Sequence, residues 1–175
     1  MSGIQFPDSL RLERLSKPFR RKDFSSGNSL VDGWLAGMAL QNQEKHLSIT
    51  KVLVDSTNAI AGYYTLATGQ VDFADLPADI GRKLPRRTLP VAVIAWLGVA
   101  SVRQGHGIEK LLLAQALNDC YLAGQTFAFI AVIVDCIDNN ARAFYQHFDF
   151  ATLPGHPYRL FLSAGQLEAM AHLRE

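Results

Sequence analysis

A chain of 175 residues, 49% apolar and 19% charged, suits one ordinary domain spanning 1–175 with a continuous core, and excludes a disordered chain. No apolar run approaches the roughly 20 residues that cross a bilayer, and the polar start Met1–Gln5 lacks a signal-peptide core, so a soluble, cytoplasmic protein is expected. The net charge of +1 is unevenly spread: six of the 17 Lys and Arg (Arg11, Arg14, Lys17, Arg20, Arg21, Lys22) fall in the first 22 residues, and Arg82, Lys83, Arg86 and Arg87 form a second cluster. Two basic patches on a neutral body suit a partner with local negative charge, such as phosphates, or are simply a solvated tail and loop.

The chain opens with a loosely patterned stretch that holds a first strand around residues 4–15. Asn28 or Ser29 can cap a helix bearing Leu30, Val31, Trp34 and Leu35, and residues 36–46 continue as a helix that Gly37 separates or bends. The period then becomes that of strands. Residues 48–55 and 60–70 flank a turn at Ser56-Thr57-Asn58 and read as an antiparallel hairpin. Pro77, Pro85 and Pro90 make 72–90 a loop with one short helix near 77–82.

Residues 91–100 are an almost unbroken apolar run, consistent with a buried strand. Ser101 to Gly107 form a polar, glycine-bearing loop. A helix follows over about 108–123, with Ile108, Leu111, Leu112, Leu113, Leu117 and Cys120 on its apolar face and Gly124 placed to stop it. A second apolar run, Phe127 to Val134, completes a strand–loop–helix–strand unit whose strands should be parallel. A helix over about 139–148, capped by Asp138 or Asn139, and a closing strand pair at 149–153 and 158–163 finish the chain. The expected fold class is α/β (α+β): a mixed, mostly antiparallel sheet with one parallel βαβ step and helices on both faces.

Cys120 and Cys136 read as small reduced hydrophobes, and no CxxC or His-rich spacing suggests a metal. A glycine loop leading from a buried strand into a helix N-terminus is an anion site: the backbone can approach closely, N–H groups point outward, and the helix dipole adds positive potential. Arg103 adds a full charge. Gly105-His106-Gly107 lacks the third glycine of a dinucleotide fingerprint, and no Gly-Lys-Ser/Thr follows as in a P-loop. The loop alone therefore specifies only a phosphate-bearing ligand.

The segment Gln104-Gly105-His106-Gly107-Ile108-Glu109 resembles the Gln/Arg-x-x-Gly-x-Gly/Ala signature of the GNAT superfamily of N-acetyltransferases, with Glu109 where glycine or alanine is usual. Leu97-Gly98-Val99 is similar to that family's pantetheine-pairing strand. Asn140 to Phe150 is similar to its region ending in Tyr-x-x-x-Gly-Phe, with Asp149 in place of the glycine. Phe24-Ser25-Ser26-Gly27-Asn28, Ala61-Gly62-Tyr63-Tyr64, Asp75-Leu76-Pro77, Arg82 to Arg86 and Tyr158-Arg159-Leu160-Phe161-Leu162 narrow the resemblance to the GNAT toxins of bacterial toxin–antitoxin pairs. Trp96 departs from their usual arginine, and Ala100 from their usual aspartate.

The resemblance implies a GNAT fold and direct attack of a neutral amine on acetyl-CoA, with no covalent enzyme intermediate and no metal. It implies donor contacts by Leu97, Gly98, Val99, Arg103, Gln104, Gly105, His106, Gly107, Ile108, Glu109, Asn140 and Phe144. Tyr145 would protonate the leaving thiolate; standing alone it would read as a core aromatic. His46, His106, His147 and His156 are candidate bases by residue type only. The implied acceptor is the α-amine of aminoacyl-tRNA, with Arg20, Arg21, Lys22, Arg82, Lys83, Arg86 and Arg87 on its phosphates. A ribbon-helix-helix antitoxin and a homodimer are implied as well. The alternatives are acetylation of a small amine or a protein amine, and a catalytically weak CoA-binding regulator.

Overall fold

The computed structural model describes residues 4–173; the first three residues of the polar start lie outside them. Seven strands hydrogen-bond in the order β1-β2-β3-β4-β5-β7-β6: β1 Arg11–Arg14, β2 Ile49–Val54, β3 Ile60–Asp72, β4 Thr88–Val99, β5 Ala131–Asp135, β6 Ala151–Leu153 and β7 His156–Ser163. The pairs β1–β2, β2–β3, β5–β7 and β6–β7 are antiparallel. The β4–β5 pair is parallel, with Ala92 opposite Val132, as the βαβ pattern predicts. The chain packs as two compact units, one comprising residues up to Ala67 with Ala95–Asn118, the other Thr68–Ile94 with residues from Asp119 on.

In the first unit, helices α1 (Ser29–Gly37) and α2 (Ala39–Glu44) pack with the β1–β3 meander. Asn28 is the cap of α1, its Oδ1 accepting from the Leu30 and Val31 amides. Leu15, Phe24, Val31, Leu35, Val52, Val54, Ile60 and Tyr63 form a core of mixed helix and strand origin. A buried polar chain registers the helices on the sheet. Gln43 donates to the Leu15 carbonyl and accepts from the Thr50 amide, Thr50 and Thr65 share a 2.7 Å hydroxyl contact, and the Trp34 indole donates to Thr65.

The second unit buries Val71, Leu76, Leu89, Val91, Ala131, Ile133, Leu153 and Phe161. Strand β4 begins at Thr88 rather than Val91: proline lacks a donor, yet the Pro90 carbonyl still accepts the Ile130 amide. Strand β5 starts at Ala131 rather than Phe127, because residues 125–127 turn back on the end of the preceding helix and leave Phe127 79% exposed. Cys136 falls one residue past that strand. Helix α3 is the short Ala78–Gly81 piece. The last helix, α6 (Ala164–His172), was not expected from periodicity; Ser163 and Gln166 cap it reciprocally.

Candidate active site

Strand β4 delivers its buried apolar end, Leu97-Gly98-Val99, to a 3-10 turn at Ser101–Arg103 and then to helix α4, Ile108–Gly124. Gly105 and Gly107 both have φ +79, a left-handed conformation that favours glycine, with open space where a Cβ would stand. The Gly107 carbonyl accepts the Leu111 amide, so helical bonding starts there and the first-turn amides of α4 have no intrahelical acceptor. The Gly105, His106 and Gly107 amides also lack a protein acceptor among the described residues. Consecutive free N–H groups before a helix N-terminus fit a pyrophosphate.

Ile108 is buried and anchors the helix start, so its backbone rather than its side chain can serve the ligand. Glu109 stands in the first turn, half-buried, and brings a negative charge into the turn that follows those amides. His106 is exposed in the loop. Arg103 is half-buried; its field, after the Thr57 hydroxyl and amide, helps hold the Asp55 carboxyl below its ordinary value.

The brace under this loop was not legible from the signature. The Gln104 side-chain amide donates to the Ser26 carbonyl at 2.8 Å and the Val99 carbonyl at 2.9 Å. The Ser101 amide donates to the Ser25 carbonyl at 2.8 Å. Ser26 is fixed in turn by Asp32, which accepts from both its amide and its hydroxyl. Gln104 therefore positions the loop by tying it to the segment before α1. Gly98 has a packing cause of its own: a Cβ there would collide with Val31. Tyr63, buried, donates to the Val31 carbonyl at 2.6 Å, and burial pushes its phenol up.

In the second unit, helix α5 (Asn139–His147) is capped by Asp138 through the Ala141 amide. Asn140 is exposed on its first turn. Phe144 is edge-on to Tyr145 at 5.2 Å and to Phe148 at 5.1 Å. Tyr145 is 6% exposed, edge-on to Phe150 at 5.3 Å, and its hydroxyl makes no hydrogen bond among the described residues. Burial pushes its phenol well above the ordinary tyrosine value, the nearby Cys136 adding to the effect. Cys136 is itself pushed up to about 11 by burial and then by Asp135, so it stays a thiol. Cys120 is likewise raised to about 12 by burial, and both cysteines are free.

The helix ends in a Schellman arrangement: the Asp149 amide donates to Gln146 and the Phe150 amide to the Tyr145 carbonyl. Asp149 has φ +70, which is why this position favours glycine.

Each basic cluster is exposed for most of its length. Arg20 pairs with Asp23 at 2.8 Å, Arg21 is half-buried, and Lys22 is exposed. Arg82 bonds back to the Ala78 carbonyl, Arg86 lies 5.9 Å from the Phe73 ring centroid, and Lys83 and Arg87 are exposed. Among the described residues no group of three metal-ligating side chains occurs, and no helix is long and apolar enough to cross a membrane.

No protein-family model matches the chain. It is 34% identical over 162 residues to a tRNA-acetylating toxin of Mycobacterium tuberculosis, covering 93% of each chain. It is 23% identical over 159 residues to a probable toxin TacT of Sinorhizobium fredii, covering 86% of this chain and 88% of the other. Among solved structures, AtaT complexed with acetyl-methionyl-tRNAfMet superposes with a TM-score of 0.86 at 22% identity, over 93% of this chain and 99% of that one. AtaTR bound with AcCoA gives 0.83 at 23% identity, over 94% and 99%. At such identities the solved structures establish the fold.

Proposed function

Because the chain belongs to the GNAT toxins of bacterial toxin–antitoxin systems, we propose that it is an acetyl-CoA-dependent toxin that acetylates the α-amine of aminoacyl-tRNA and so blocks translation. The observation that carries the donor half is the run of unpartnered amides from Gly105 to Gly107 ahead of α4. The acceptor half rests on the relatives: the M. tuberculosis protein is named for acetylating tRNA, and AtaT has been solved with acetyl-methionyl-tRNAfMet. In this reading residues 1–175 act as one catalytic domain in the cytoplasm, where charged tRNA is found.

Acetyl-CoA supplies an activated acyl carbon that a neutral amine attacks, forming the amide as the C–S bond breaks. The loop amides and Arg103 hold the pyrophosphate, Gln104 keeps the loop in place, and backbone N–H groups of 97–99 meet the carbonyl oxygen as it gains charge. Asn140 and Phe144 contact the donor from α5. Tyr145 gives its proton to the departing sulfur and regains one from the acylated amine or from solvent. Its raised phenol stays protonated at every physiological pH, at the cost of being a weaker acid than an ordinary tyrosine. An α-amine with a pKa near 8 is partly neutral at pH 7, so none of the histidines is needed as a base.

The basic residues Arg20, Arg21, Lys22, Arg82, Lys83, Arg86 and Arg87 supply phosphate contacts, which give affinity rather than sequence preference. A structure of the AtaT toxin bound to the C-terminus of the antitoxin AtaR supports a cognate antitoxin here. By the family resemblance it carries a ribbon-helix-helix domain, and the toxin works as a homodimer. Incubating the protein with labelled acetyl-CoA and a pool of charged tRNAs tests the reading. The label is expected on the amino acid, recovered as N-acetyl-aminoacyl product after ester hydrolysis; label only on free amines or proteins would overturn it.

A further inference from the structure

An open cleft of about 410 Å³ lies in the second unit, lined by Asp135, Cys136 and the segment 155–159. Its aromatic wall is Tyr158, a residue 43% exposed although it is held from several sides. The Tyr158 hydroxyl donates to Asn139 Oδ1 at 2.7 Å, the Arg142 guanidinium carbon lies 5.6 Å from the ring centroid, and the Tyr158 carbonyl accepts the Cys136 amide at 2.7 Å. An exposed ring fixed in this way loses little further freedom when something stacks on it.

The arginine and the aspartate that line the cleft are already matched. Arg159 makes a two-point contact with Asp135 at 2.8 and 3.2 Å, Asp138 is taken up by the α5 cap, and His156 lies 3.5 Å from Asp75. Arg159, the arginine that lines the cleft, is opposed by Asp135, and Arg142 lies against the ring outside that lining, so the cleft floor does not offer phosphate a strong positive field. It offers a rigid π-face instead, which suits a nucleobase. Cys136 links this wall to the chemistry: its amide donates to the Tyr158 carbonyl, and it is near enough to the Tyr145 phenol to help raise it.

We propose that Tyr158 is the stacking platform for the unpaired terminal base of the charged tRNA. This rests on the acetylation reading above. The esterified amino acid and that base belong to the same terminal nucleotide, so an amine delivered beside Tyr145 brings the base to a wall close to it. Stacking on Tyr158 then orients the acceptor end, while the basic clusters hold the phosphates.

The test compares wild type, Tyr158→Ala and Tyr158→Phe for acetyl transfer to charged tRNA, alongside anisotropy of an uncharged CCA-ended oligonucleotide. Tyr158→Ala is expected to raise the KM for charged tRNA and weaken the oligonucleotide about tenfold, alike at low and high salt, with kcat and the acetyl-CoA KM unchanged. Tyr158→Phe, which keeps the ring and loses the Asn139 bond, should stay within about twofold. Oligonucleotide binding equal in Tyr158→Ala and wild type would overturn the platform. So would Tyr158→Phe as impaired as Tyr158→Ala, or a matching loss of acetyl-CoA affinity. If wild type labels no charged tRNA yet the oligonucleotide still depends on Tyr158, the acetylation reading fails and the platform stands.

Discussion

Tyr145 shows how its surroundings bear on the acid role proposed for a single side chain. Phe144 and Phe150 enclose the ring, and burial disfavours the phenolate, so the proton is retained far into the alkaline range. Two consequences follow for the rate. Replacing Tyr145 with Phe removes the donor without disturbing the cage, so kcat should fall by about a hundredfold or more while acetyl-CoA binding is kept; full activity in Tyr145→Phe would eliminate the role. The pH profile should climb from pH 7 to about 8.5 as the amine loses its proton. It should then stay flat past pH 10, because the phenol, with its value raised, has not yet deprotonated. A decline setting in near pH 9 would place the titrating acid elsewhere.

At the level of elements, two helix termini each carry a local conformational device. The N-terminus of α4 is open to an anion only because Gly105 and Gly107 turn the chain through left-handed conformations and Gln104 ties the turn to the Ser26 carbonyl. The C-terminus of α5 is closed by bonds to the Gln146 and Tyr145 carbonyls, with Asp149 in a conformation that costs an L-residue free energy. Asp149→Gly should therefore stabilise the protein by about 0.5–1 kcal/mol, the left-handed strain relieved being partly offset by greater unfolded-chain freedom. Urea unfolding checks it, and a destabilised variant would mean that the Asp149 side chain holds the cap in a way its backbone does not. The same element was legible as a helix with the right cap. What was not legible is that the departure from the glycine pattern is tolerated by a left-handed aspartate.

For the whole molecule, the proposed donor loop has strong sequence markers and the proposed acceptor surface few. In that proposal the basic clusters carry the long-range part. Neutralising Arg82, Lys83, Arg86 and Arg87 should lower the slope of log affinity for tRNA against log salt by about 0.7–0.9 per lost phosphate contact. Arg20 contributes less than its charge suggests, since Asp23 lies 2.8 Å away. A filter-binding series between 50 and 200 mM salt decides it, and an unchanged slope would remove these residues from the interface.

The parallel strand–loop–helix–strand step, the α1 cap at Asn28, the hairpin turn and the left-handed glycines of the loop were all determined locally, because apolar period, capping oxygens and glycine act over a few residues. Strand limits at Thr88 and Ala131, the Gln104 brace to Ser26, the clash that keeps Gly98 a glycine and the cleft against Tyr158 were decided only when distant segments met. Hydrogen-bond partners and close approach depend on which surfaces pack together, and neither spacing nor residue type along the chain encodes that choice.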